Sequence, residues 1–479
     1  MVDPTAHSSA GRLVLEGDGA DTASTDAHAP VLIIGAGACG LVAALAATDA
    51  GADVVVLERD ATPAGSTALS SGFIPAAGTR QQAAAGVVDT PQAFAADIQA
   101  KAKGRANPAI VATVAAAAAP TLAWLEDQHG LQFELLQGFL YPGHGLERMH
   151  AVPERTGAGL IARLERAATA AGITILPNAT VSALRHRADG RITAVEVTRP
   201  SGAVERIGCD RLILACNGYG GNPELVARWL PEMRTALYAG HTGNRGDAVL
   251  WGLGLGAATG DLSGYQGHGS LAHPHGLLIT WALMTEGGIQ VNRWGERFSN
   301  EHQGYSEAAT SVLAQPDGVA IAVFDQRLLA FARQFEDFRQ AEALGAIRGG
   351  GSLAVLATAF DLPLERLAAT LQDTAAAAAG APDRFGRDFT TRPALAPPYF
   401  GIRVTGALFH TQGGLEIDAT ARVLRPDGSR LPNLWAGGGA ARGVSGPAVD
   451  GYLSGNGLLT AVTLGRIAGL AAAQSASDP

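Results

Sequence analysis

The chain has 479 residues and a formal net charge of −9, from 35 Lys and Arg against 44 Asp and Glu. That balance excludes the basic footprint of a nucleic-acid binder. Apolar residues at 47% and charged residues at 16% supply a large core and exclude a disordered chain, while the length calls for more than one domain.

Residues 1–29 are polar and lack both a basic start and an apolar core, so they are not a signal peptide and read as a loose N-terminal arm. Order begins at Val31-Leu32-Ile33-Ile34, a non-alternating apolar run that predicts a buried parallel strand. A helix follows over 43–50 and a second strand over 53–58, which makes a compact βαβ unit. Long Ala-rich helices are predicted over 109–128 and 159–171, and strands over 173–176, 180–187 and 191–198, with a turn at Asp189-Gly190. Asp210–Ala215 predicts one more buried strand. The texture changes over 266–398 to short strands and several helices, then returns to Gly-punctuated strands and a helix over 457–473. The pattern is an α/β chain whose first domain, 30–265 and 399–479, is interrupted by an inserted unit, 266–398. No run reaches 18 apolar residues without Gly or charge, so no membrane span is expected. Cys39, Cys209 and Cys216 form no disulfide framework, which suits a reducing, cytoplasmic setting.

Gly35-Ala36-Gly37-Ala38-Cys39-Gly40 is a GxGxxG element between strand and helix. Its glycines allow a tight turn, backbone approach to a pyrophosphate and close helix–strand contact, and the helix start offers unpaired N–H groups. Glu58, 18 residues beyond Gly40, ends the next strand, where a carboxylate can accept both ribose hydroxyls. An acid there disfavours a 2′-phosphate but does not separate NAD from FAD.

Other segments favour FAD. After Glu58-Arg59 comes Gly65-Ser66-Thr67-Ala68-Leu69-Ser70-Ser71-Gly72, a small-residue loop that can lie against a flavin. Ala215-Cys216-Asn217-Gly218 resembles the strand and turn that two-dinucleotide-domain flavoproteins set beside the cofactor, and Gly246-Asp247 resembles their GDG element. Gly437-Gly438-Gly439 and the helix start at Asn456-Gly457-Leu458 provide a positive end for a charge-bearing ring.

Spread over residues 31–475, this set resembles the fumarate reductase and 3-ketosteroid delta-1-dehydrogenase superfamily. The resemblance implies a Rossmann-like FAD-binding domain interrupted by an α+β capping domain, with substrate between cap and flavin. It implies cofactor contacts from Gly35, Gly37, Ala38, Cys39, Gly40, Glu58, Arg59, Gly65, Ser66, Thr67, Ser71, Gly72, Val181, Ala215, Asn217, Gly218, Asp247, Gly438, Asn456 and Leu458. No His lies in 66–71, so the FAD is expected to be non-covalent. The reaction implied is hydride exchange with one carbon of an activated C–C bond and proton movement at its neighbour.

Two positions choose the branch. In fumarate-reductase-like members a cap Arg delivers the proton, and the matching position of Arg297–Tyr305 is Tyr305. A second Arg clamps a carboxylate in an NRLGGN element, and here Tyr452 replaces it. Loss of both guanidiniums removes bidentate recognition of a dicarboxylate. Tyrosines at both places resemble the ketosteroid branch, in which the residue matching Tyr452 and the N–H of Asn456 hold the ketone oxygen. There the residue matching Tyr305 takes the α-proton, with Tyr141 as the candidate helper. His410, in His410-Thr411-Gln412-Gly413-Gly414, resembles the second His of the fumarate-branch HHTMGG element, and His268 falls where that branch has another substrate-binding His. Gly439 stands where an AGE element carries Glu. His268, His273 and His275 lack carboxylate or thiolate partners at ligand spacing, so no metal is expected.

The sequence therefore predicts an FAD-dependent desaturase of a cyclic ketone, monocyclic or steroid. Electrons leave to dioxygen, a quinone or a partner protein. The alternatives are a fumarate-reductase-like enzyme of an unsaturated acid, using groups such as Arg245 or Arg442, and a non-catalytic flavin-binding protein.

Overall fold

The computed structural model describes residues 11–16, 25–138 and 140–475. It divides the chain into two compact units: 1–230, 240–265 and 410–479 form the first, and 231–239 and 266–409 the second.

The first unit is built on a nine-stranded sheet. Its strands are β1 (Leu13–Leu15), β2 (Ala27–Ile34), β3 (Val54–Leu57), β4 (Thr174–Leu176), β5 (Thr180–His186), β6 (Ile192–Thr198), β7 (Val204–Leu214), β8 (Arg422–Leu424) and β9 (Arg430–Ala436). The order is β1-β5-β6-β7-β2-β3-β4, with β9 on β7 and β8 on β9. Val31, Leu32 and Ile33 have no exposed surface, as the unbroken apolar run requires of a central parallel strand. β7 begins at Val204, earlier than the sequence suggests. Val204–Gly208 pair antiparallel with β6 and Leu212–Leu214 parallel with β9, while Ile207–Leu214 pair parallel with β2, so one strand serves three neighbours. Leu13–Leu15 of the expected loose arm pairs in parallel with β5, because its two leucines and valine extend a sheet edge. Residues 1–10 and 17–24 lie outside the described residues.

Three helices of this unit matter below: α1 (Ala38–Asp49), α2 (Asp247–Gly254) and α3 (Asn456–Gln474). α1 starts within the glycine motif itself, five residues before the start read from the sequence. It packs parallel to α3 with backbone against backbone. A Cβ on Gly465 would lie 2.5 Å from the Cys39 carbonyl oxygen, and one on Gly469 2.2 Å from that of Ala43. α3 and the helix Pro108–His129 are long and apolar enough to cross a membrane by length and composition. In α3 much of that apolar surface is spent on α1.

The second unit has a six-stranded sheet centred on Tyr399–Thr411, flanked by helices, with Trp281, Phe324, Phe338 and Ile402 in its core. The boundary falls at 409 instead of 398. Tyr399–Thr405 pairs residue by residue with Val319–Asp325, and Ala407–Leu408 pairs with Leu237–Tyr238, so this stretch belongs to the second sheet.

Gly469→Val tests the helix contact. Overpacking of this kind costs about 1–3 kcal/mol or more, so the thermal midpoint should fall clearly. An unchanged midpoint would mean that α1 and α3 are not in backbone contact.

Candidate active site

At the start of α1, backbone approach dictates residue choice. Gly35 has φ +104°, and a Cβ on it would sit 2.6 Å from the Ala215 carbonyl oxygen; a Cβ on Gly40 would sit 1.8 Å from the Gly35 oxygen. The N-cap, Gly37, offers no side chain to the helix start. One N–H there, that of Ala38, donates to Thr67 Oγ1 at 3.0 Å. Glu58 is buried, and its two oxygens accept from Ala36 N at 2.8 Å and Asp60 N at 2.9 Å. A carboxylate oxygen has two acceptor sites, so each keeps one for a ribose hydroxyl. Arg59 donates to the Gly243 carbonyl at 2.7 Å and lies 3.0 Å from His241 Nδ1. Ser66 Oγ accepts from Asn244 Nδ2 at 2.8 Å. The loop before α2 is thereby tied to the loop after β3. Asp247 opens α2, and burial raises its carboxyl above the ordinary range. Burial also pushes the thiols of Cys39 and Cys216 up to about 12, which keeps them uncharged.

The second half of the site surrounds the start of α3. The N-cap Gly455, at φ +87°, again leaves the first turn without a side-chain cap. A Cβ on Gly457 would have three near neighbours: His410 Nδ1 at 3.8 Å, Tyr452 Oη at 3.8 Å and Gln412 Nε2 at 3.9 Å. Tyr452 and His410 therefore share one neighbourhood. Asn217 holds a positive φ of 66°, and its Oδ1 accepts from Gly218 N at 2.8 Å. A Cβ at Gly439 would lie 2.1 Å from that oxygen and 3.0 Å from His410 Nε2, so the glutamate of related chains has no room here. One expectation needs correction. The Asn456 N–H donates to the Leu453 carbonyl at 3.1 Å, because the chain closes a tight turn before entering the helix. Its side-chain Oδ1 is buried without a hydrogen-bond partner among the described residues.

Tyr141 packs against the small cluster of Leu136, Met149 and Ala151. Burial pushes its phenol up to about 12, which suits a permanent donor and not an anion. Its segment reaches the Tyr452 turn, since His144 Nε2 lies 3.0 Å from the Ser454 carbonyl oxygen. Val181 lies in β5 and is buried. Leu458, Gly438 and Gly72 occupy the α3 start, the turn after β9 and the loop before Ile74, as read from the sequence.

In the second unit, Tyr305 is the first residue of the helix Tyr305–Leu313 and stacks on His268, with ring centroids 4.8 Å apart and planes at 22°. The strand Tyr265–Ala272 lies close to that helix: Gly267 N donates to Ser306 Oγ at 2.8 Å. The preceding segment is anchored by buried charges. Arg297 pairs with Glu301 at 2.7 Å and with Asp383 at 2.5 Å, and Arg387 reaches Glu301 at 3.0 Å. Against the upward push of burial, these guanidiniums hold the Glu301 carboxyl below its ordinary value. His268 Nδ1 accepts from Ser270 N at 3.1 Å, which leaves the proton on Nε2. Burial lowers its pKa to about 3, and that of His410 to about 4.

The two cationic alternatives differ. Arg442 is committed to Asp261 at 2.7 Å and Glu416 at 3.1 Å. Arg245 has a buried Nε with no hydrogen-bond partner among the described residues, 4.0 Å from the Asp247 carboxylate.

These residues fit FAD. α1 and α3 are parallel, with Gly465 level with Cys39. The α3 start therefore stands eight residues, or about 12 Å at 1.5 Å per residue, beyond the α1 start. Two uncapped positive helix ends along one line suit a cofactor with phosphates in its middle and a charge-bearing ring at one end. Asn456 Oδ1 supplies an acceptor for a ring N–H at the far end.

Comparison with known proteins agrees. The FAD binding domain family model matches residues 30–458. A probable fumarate reductase of Shewanella frigidimarina is 30% identical over 94% of this chain and 75% of its own length. A 4-oxocyclohexanecarboxylate 2-dehydrogenase of Sinomonas cyclohexanicum is 26% identical over 92% of each chain. Among solved structures, the open form of a flavocytochrome c3 fumarate reductase superposes with a TM-score of 0.81 at 29% identity, covering 94% of this chain and 79% of that one. A 3-ketosteroid-delta4-(5alpha)-dehydrogenase from Rhodococcus jostii shares the fold, with a TM-score of 0.78 at 23% identity, covering 97% and 100%.

The buried histidines generate an acid-stability prediction. An unfolded His takes up a proton near pH 6.5, whereas folded His268 does so only near 3. The unfolded chain thus binds more protons below about pH 6.5, and stability falls as pH drops through that window. Urea midpoints at pH 7 and pH 5 should converge in His268→Phe relative to the parent. An unaltered difference would show that His268 is not buried as a neutral ring.

Proposed function

The chain belongs to the FAD-binding domain family and is an FAD-dependent oxidoreductase; on that footing we propose that it desaturates a cyclic ketone between its α and β carbons. The observation that carries this reading is the convergence of Tyr452 Oη and His410 on the uncapped start of α3. These are neutral donors, and neutral donors suit a carbonyl oxygen that becomes an enolate better than a dicarboxylate, which calls for guanidiniums.

Bound FAD supplies the acceptor for the β-hydride. The chain supplies the rest. Tyr452 O–H donates to the ketone oxygen and acidifies the α C–H, and His410 is the second donor in place of the Asn456 N–H. Tyr305 takes the α-proton. It stands at a helix start, where the backbone dipoles favour the negative charge a base carries. Tyr141 serves as the helper, a phenol that stays protonated and donates. His268 supports Tyr305 by stacking and presents an Nε2–H. The relative named for 4-oxocyclohexanecarboxylate supports a monocyclic ketone bearing a carboxylate. Electrons then pass to an external acceptor, dioxygen, a quinone or a partner protein, in a cytoplasmic setting that keeps the three thiols reduced.

A second reading has its own support. The 30% identity to a probable fumarate reductase and the Nε of Arg245, which makes no hydrogen bond among the described residues, favour reduction of an unsaturated acid.

FAD is expected to be non-covalent, so acid precipitation should release it intact into the supernatant. Flavin that stays with the pellet would overturn this. The catalytic branch is tested by Tyr305→Phe. Anaerobic 4-oxocyclohexanecarboxylate should bleach the parent, whereas the variant should bind it, perturb the flavin spectrum and bleach at least a hundredfold more slowly, the lower range for a lost general base. Fumarate reduction at equal rates in both proteins, without ketone bleaching in either, would favour the second reading.

A further inference from the structure

Behind His410 runs a chain of buried polar side chains that the reaction itself does not call for. Asn456 Nδ2 donates to Ser445 Oγ at 2.9 Å, Ser445 Oγ donates to Gln412 Oε1 at 2.9 Å, and Gln412 Nε2 donates to His410 Nδ1 at 2.7 Å. Gln412, Ser445 and Asn456 are 3%, 1% and 0% exposed, so water does not compete for these groups. The chain also has a direction. Turning Gln412 alone would leave the buried Ser445 O–H without the acceptor it has in Gln412 Oε1, and turning Asn456 as well would replace Oδ1, the acceptor that fits a ring N–H of FAD, with a donor. A buried N–H with no acceptor is rarer and costlier than an under-used carbonyl. The hydroxyl of Ser445 and the acceptor oxygen of Asn456 together set where the proton sits at His410.

We propose that Gln412 and Ser445, with the Asn456 amide, are positioning residues that hold His410 as the neutral Nε2–H tautomer, so that the ring presents a donor to the carbonyl or carboxylate oxygen of the substrate. The Nε2 edge stays open because residue 439 is glycine. The HHTMGG element has methionine where Gln412 stands, and a thioether has no N–H to donate to Nδ1. Burial works in the same direction by disfavouring the imidazolium.

The tautomer can be read without any substrate, which separates this assignment from the ketone reading on which its kinetic part rests. The FAD-loaded protein is labelled with 15N in histidine alone, and the His410 signals are identified by their loss in His410→Gln. In the parent they should report a neutral ring protonated at Nε2 from pH 5 to pH 8. In Gln412→Glu the carboxylate can only accept, so the proton must appear on Nδ1. In Gln412→Met and Ser445→Ala the signals should move toward a mixture of tautomers. A parent ring protonated at Nδ1, or His410 signals that stay at Nε2–H in all three variants, would overturn the assignment. With 4-oxocyclohexanecarboxylate, Gln412→Met should lose about tenfold or more in kcat at unchanged FAD content, the scale found when a residue orienting a functional His is removed. Tautomer shifts in the variants together with a parent inert to any ketone would uphold the positioning role and sink the desaturase reading alone. Ketone turnover in the parent with unmoved signals in every variant would do the reverse.

Discussion

The close approach of two helices from opposite ends of the chain is the constraint on which the first unit depends. Gly465 and Gly469 let α3 lie directly on the backbone of α1, and Gly40 lets α1 lie directly on its own entry loop. No side chain larger than hydrogen fits at any of these places. The contact fixes the axial offset between two uncapped helix starts, and that offset sets the spacing of the two positive ends. A single extended cofactor can then use both. The main sheet supports the arrangement from below, with β2 and β7 ending at Ile34 and Leu214 on either side of the glycine loop.

Around the α3 start the chain replaces charge with neutral hydrogen-bond donors. Tyr452, His410 and Gly439 stand there, and the cationic Arg442 is occupied by Asp261 and Glu416. A buried neutral donor costs little to desolvate compared with an ion, and it binds an oxygen that gains charge more tightly than one already hydrated and charged. The imidazoles follow the same logic. Each has its Nδ1 satisfied from within the protein, His268 by a backbone N–H and His410 by an amide. Within the second unit, one group of fixed charges is buried. Arg297, Glu301, Asp383 and Arg387 satisfy one another and anchor the segment that delivers Tyr305.

Much of this was legible in the sequence, for reasons of local chemistry. An unbroken apolar strand, glycines at fixed spacing and an acid at the next strand end specify a dinucleotide unit, because each of those roles is filled by a few consecutive residues. The Tyr305 and Tyr452 replacements were equally visible, since a lost guanidinium is lost wherever the fold places it. Other features came only from tertiary structure. Strand 399–411 looks like the return of the first domain by its glycines, yet its backbone partners lie in the second sheet, and pairing across about eighty residues leaves no local trace. The Asn456 N–H was a natural oxyanion donor on paper, but a turn closing on Leu453 consumes it. The chain Asn456–Ser445–Gln412–His410 spans 46 residues of sequence and is set by burial, which no spacing rule encodes. Its one local sign was Gln412 in a methionine's place. The sequence by itself determined the cofactor class, because residue type alone carries charge and backbone freedom. Only the folded chain decided which donors remain open and which way their protons point, because hydrogen-bond partners are assigned by packing between distant segments.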